Sequence, residues 1–118
     1  MTSLQQPMEE RLVDVRRRIA VAAQRGGRSP EEVTLVAISK GVAPPAILAV
    51  YRAGVRHFGE NRVQEAAAKL DVLLPDMPEA TWHMVGRLQT NKAGMASKLF
   101  AIIHSVDSLR LAQELSRR

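Results

Sequence analysis

The sequence predicts an α/β fold of successive strand-helix units. Short apolar runs rich in β-branched residues alternate with helical stretches, brief loops join them, and glycine, proline or a capping residue marks each junction. The 118 residues suffice for one core, so 1–118 is expected to form a single domain. A hydrophobic fraction of 46% with 25% charged residues suits a packed domain and is too apolar for a disordered chain.

Met8, Leu12, Val15, Ile19 and Ala22 fall three and four apart and stripe one face of a first helix, which Gly26-Gly27 ends. Ser29-Pro30-Glu31-Glu32 reads as a cap, a first-turn proline and two acids, a short helical turn. The run Val33 to Ile38 then has the pattern of a strand buried on both faces. Pro44-Pro45 opens a helix through Tyr51, closed by Gly54. Val55 to Gly59 supplies a second strand, and Asn61 with Gln64 resembles a capping box for a helix through Leu74. Beyond a loop bracketed by Pro75 and Pro78, Thr81 to Gly86 forms a third strand. Asn91 is expected to cap a helix to about Leu99. Phe100 to His104 is the fourth strand, and Asp107 or Ser108 caps a last helix reaching Arg118.

This βαβαβαβα layout requires parallel pairing with right-handed crossovers. Two architectures accept it: a doubly wound open sheet, or a (β/α)₈ barrel, of which the chain holds about half. A half barrel exposes strand edges and one sheet face, so the unit is expected to be a fragment or to pair with a second copy.

In such folds functional residues gather beyond the carboxyl ends of the strands. Lys40 follows the first strand, Glu60 and Asn61 the second, Gly86, Arg87 and Gln89 the third, and Ser105 and Asp107 the fourth. Lys40 is the most informative, because it comes straight after a run expected to be buried. Partial desolvation there would free its amine to attack a carbonyl, whereas a lysine snorkelling to solvent would do nothing of the kind.

Other chemistries find little support. His57, His83 and His104 lack helical metal-pair spacing and there is no cysteine, so no metal site is expected. No serine sits in a nucleophile elbow, and the glycines fit neither a phosphate-binding loop nor a dinucleotide fingerprint. The net charge of +5 and the pI of about 10.4 invite a nucleic-acid reading, but aromatic residues make up only 3% and no nucleic-acid-binding motif appears. Arg16-Arg17-Arg18 reads instead as a solvated helix face. There is neither a signal-peptide pattern nor an apolar run of membrane-spanning length, and the absence of cysteine suits a reducing compartment. A cytoplasmic location without membrane or nucleic-acid partners is expected.

Four segments carry a resemblance: Val36-Ala37-Ile38-Ser39-Lys40, His57 to Glu65 (HFGENRVQE), Trp82 to Lys92 (WHMVGRLQTNK) and His104-Ser105-Val106-Asp107-Ser108. In order and spacing they resemble the pyridoxal phosphate homeostasis proteins, relatives of the N-terminal domain of alanine racemase. The resemblance implies the N-terminal half of a (β/α)₈ TIM barrel, with pyridoxal 5′-phosphate held on Lys40 as an internal aldimine and Asn61 and His83 beside the cofactor. It implies a carrier serving vitamin B6 and amino-acid homeostasis rather than a catalyst. The alternative is a racemase-like enzyme using Lys40 as anchor and base. The chain departs from the pattern at Gly41-Val42-Ala43, where a basic residue is common, and at Arg87, where histidine or proline is frequent. Barrel phosphate sites draw on later strands, so the 118 residues are expected to bind the cofactor weakly, or only as a homodimer that completes the sheet.

Overall fold

The computed structural model describes residues 5–117. A long helix, α1 (Gln5–Arg25), precedes four strand-helix repeats. These are β1 (Val36–Ile38), α2 (Pro44–Arg52), β2 (His57–Glu60), α3 (Val63–Leu73), β3 (Thr81–Met84), α4 (Ala93–Leu99), β4 (Ile102–Ile103) and α5 (Leu109–Ser116). The strands lie side by side in chain order and every neighbouring pair is parallel. No helix among the described residues is long and apolar enough to cross a membrane.

Register assigns the side chains to two faces. Ala37, Phe58 and Trp82 lie abreast, with Glu60 and Met84 one step on. This face packs against the helices: Phe58, Trp82 and Met84 join Ile47, Leu70, Ala96 and Leu111 in one buried cluster. The Phe58 and Trp82 rings stand 5.3 Å apart within it. Ile38, Gly59 and His83 lie abreast on the opposite face, with His57 and Ile102 in the same set. That face is open, leaving Ile38 50% and Ile102 42% exposed.

The open face corrects the expectation that the first strand is buried on both sides, because helices cover only one. The strand is also shorter than expected. Val33 belongs to the preceding turn, its N–H donating to Pro30 O, and pairing begins only at Val36 opposite His57. The other strands start or stop within three residues of their expected limits, and Phe100 proves to be the C-cap of α4.

Three caps are decided by packing. Arg62, not Asn61, is the N-cap of α3, because Asn61 is engaged against Gly86. Asn91 lies inside a 3₁₀ turn, Thr90–Lys92, and α4 begins at Ala93. Ser108 rather than Asp107 caps α5, its Oγ accepting the Leu111 N–H at 3.1 Å. Gly27 (φ 73°) terminates α1 and Gly54 (φ 111°) follows α2, both in the left-handed region that glycine tolerates. The arginine-rich face of α1 is solvent-exposed, and Arg17 and Arg18 pair with Asp14.

Candidate functional site

The carboxyl ends of the strands are tied together residue by residue. The Ser39 N–H donates to Gly59 O, Val85 N–H to Glu60 O, and His104 N–H to Met84 O, at 2.9–3.0 Å. Ser105 Oγ donates to Gly86 O. Asn61 occupies the space beside Gly86 so closely that a Cβ there would meet Asn61 Oδ1 at 2.2 Å and Asn61 O at 2.3 Å. The glycine in this position is therefore dictated by Asn61.

Lys40 sits in the turn after β1, between buried Ser39 and Gly41, whose φ is 69°. Its side chain is exposed and makes no hydrogen bond or ion pair with the described residues. The expected desolvation is thus not met. The side chain emerges instead onto an uncovered rim.

His83 is 4% exposed and its ring joins two others. His57 Nδ1 lies 3.0 Å from His83 Nε2, and His83 Nδ1 lies 2.9 Å from His104 Nε2. The three rings form a row across β2, β3 and the end of β4, with centroids 5.1–5.2 Å apart. A neutral His83 can donate at one nitrogen and accept at the other, whereas an imidazolium would need two acceptors. Burial lowers the His83 pKa from its ordinary value of 6.5, and repulsion from His104 and His57 lowers it further. Trp82 and His83 point to opposite faces, as strand alternation requires: Trp82 packs on Phe58 while His83 joins the histidine row.

Sequence reasoning weighed each histidine singly and missed the row. The available signal was that all three occupy one alternation class of successive strands. Glu60 was placed on the rim, but its side chain is wholly buried on the helix side and lies 3.1 Å from Lys69 Nζ. Lys69 and Glu65, which complete that ion pair, were not singled out.

A cavity of about 750 Å³ opens nearby, lined by Asn61, Arg62, Arg87, Gln89, Lys92 and Ser108 among others. Neither Lys40 nor His83 lines it. Asn61 lines it together with the rim residues Arg87, Gln89 and Asp107.

No family model matches the sequence. The chain is 42% identical over 109 residues to the pyridoxal phosphate homeostasis protein of Pseudomonas aeruginosa, covering 92% of this chain and 46% of the relative. It is also 42% identical over 106 residues to the protein of that name from Escherichia coli K12, covering 89% and 45%. The chain belongs to the pyridoxal phosphate homeostasis protein family. It spans about half the length of these relatives.

Among solved structures of similar proteins is PipY of Synechococcus elongatus, solved with PLP bound, with a TM-score of 0.79 and 47% identity over 93% of this chain and 47% of PipY. The crystal structure of an unknown protein from Bifidobacterium adolescentis is similar with a TM-score of 0.91 over the whole chain and 51% of that structure, at 34% identity. The four parallel strands and their helices are accordingly a partial barrel of this family, preceded by α1.

Proposed function

We propose that this chain is a single, partial barrel domain that holds pyridoxal 5′-phosphate as a Schiff base on Lys40 and serves cytoplasmic vitamin B6 and amino-acid homeostasis. One observation carries the reading: in a family member, a lysine with no partner among the described residues stands exposed at the carboxyl end of β1, on the rim that barrel folds use for chemistry. Lys40 gives a proton to solvent, its nitrogen bonds to the cofactor's aldehyde carbon, and the carbonyl oxygen leaves as water with the two remaining amine hydrogens. Asn61, pinned against Gly86, borders the ligand with its amide, and His83 offers a neutral imidazole from β3.

The relatives are named for homeostasis rather than for a reaction, which favours a carrier over a racemase. The open face, with Ile38 and Ile102 exposed, favours a second copy of the chain as its cover. Light scattering tests that pairing, and a chain that stays monomeric at every concentration with the cofactor present overturns it.

Borohydride reduction in the presence of the cofactor, followed by peptide mapping, tests the assignment of the lysine. The pyridoxyl group is expected on Lys40 and is expected to vanish in Lys40→Ala. Equal trapping by that variant would refute the reading.

A further inference from the structure

Both peptide groups that flank Lys40 are held by the same ionic network, buried at Glu60 and Lys69 and partly exposed at Glu65. Lys69 Nζ, on α3, donates to Ser39 O at 2.6 Å, the carbonyl of the peptide entering Lys40. Glu65 Oε2, one turn earlier on α3, accepts the Gly41 N–H at 2.8 Å, the amide of the peptide leaving Lys40. The ammonium of Lys69 lies 3.0 Å from Glu65 Oε2 and 3.1 Å from Glu60 Oε2. Glu60 also accepts from Ser39 Oγ. Peptide planes are rigid, so tethering the two that meet at one Cα restrains both of its dihedrals and with them the direction of its side chain.

Stability alone is a poor reason for this arrangement. Glu60 is fully buried and the Lys69 side chain is 10% exposed. Buried ion pairs often contribute no more than well-packed apolar residues of the same volume, because desolvation offsets their attraction. What this network supplies that apolar residues could not is directional hold on the backbone at one residue. It also engages all three ammonium N–H donors of Lys69, on Ser39 O, Glu60 and Glu65, so that presenting this nitrogen to an aldehyde would mean giving up those contacts. Of these two lysines, Lys40 alone has no partner among the described residues.

We infer that Glu60, Glu65 and Lys69 are positioning residues: a clamp that aims Lys40 for capture of an aldehyde ligand and withholds Lys69 from the same reaction. The inference rests on the cofactor reading above. The test compares the unmodified chain with Glu65→Ala, Glu65→Gln and Lys40→Ala. It measures the rate and site of pyridoxal 5′-phosphate trapping by borohydride, together with hydrogen exchange at the Gly41 amide.

In Glu65→Ala the Gly41 amide should exchange at least about tenfold faster and trapping at Lys40 should slow by at least about tenfold, a modest effect in activation terms. Pyridoxyl label should also appear on Lys69. Glu65→Gln retains an oxygen acceptor and should restore part of both. Glu65 lies at the partly exposed end of the network, so its removal leaves the Glu60–Lys69 pair and the fold in place. If Glu65→Ala frees the Gly41 amide yet traps at the original rate and site, or leaves that amide protected, the clamp is overturned. If Lys40→Ala traps as well as the unmodified chain, the cofactor reading fails, and the clamp's role with it.

Discussion

The two faces of one four-stranded sheet have opposite fates. On the helix side, Phe58, Trp82 and Met84 are at most 4% exposed, and even the charged Glu60 is drawn in with a partner. On the other side, Ile38 is half exposed and the polar His83 is buried mainly among other histidines. Alternation along each strand produces both sets, so a shift of one residue in register would exchange a core for a rim. The covered face carries the core and the open face carries the histidine row.

Truncation on each side should break that symmetry most visibly. Phe58→Ala is expected to cost about 3–5 kcal/mol, the range for emptying a packed aromatic site. Ile38→Ala, on the open face, should cost about 1 kcal/mol, since half of its surface is already in water. Denaturant unfolding of the two variants measures the contrast, and equal losses would mean that the second face is covered too.

A finer comparison lies between two glycines. At Gly86 an added methyl meets the backbone oxygen of Asn61, which cannot rotate away, and Gly86→Ala should cost about 1–3 kcal/mol while displacing the amide. At Gly59 the nearest atom is Ile38 Cδ1 at 2.8 Å, the far end of a half-exposed side chain. Gly59→Ala should cost less than about 1 kcal/mol. Thermal melts of both variants decide the order.

The smallest effect expected is in pH dependence, and it separates the faces by window. His83 has a lowered pKa, so below 6.5 the unfolded chain takes up its proton first, and stability falls until the folded His83 is protonated as well. Glu65, behind Lys40, has its pKa lowered from 4.5, chiefly by the Gly41 N–H and then by Lys69. Its contribution is present above 4.5 and is lost as pH falls through its folded value. Unfolding curves between pH 3 and 8 should show stability falling below 6.5 and falling further below 4.5, and His83→Gln should remove the loss that begins at 6.5.

Much of this was legible in the chain. The β-branched run ending at Ile38, the proline pair at Pro44-Pro45 and Gly54 each announced their elements, and four short segments announced the family. Asn61 misled because asparagine before a helix is usually a cap, and only the approach of the β3–α4 segment shows its side chain turned against Gly86. Glu60 misled in the same way, since a carboxylate at a strand end looks solvated until Lys69 arrives from the helix above.

What a linear reading can settle is periodicity, punctuation and residue type, because these depend on near neighbours: the order of strands and helices, their parallel pairing, and the lysine at the first strand's end. Which polar groups meet depends on parts of the chain 20 to 30 residues apart, as in the contacts of Ser39 with Glu60 and Lys69 and of His57 with His83. Only packing in three dimensions decides those, because a buried charge is tolerated solely where a partner reaches it.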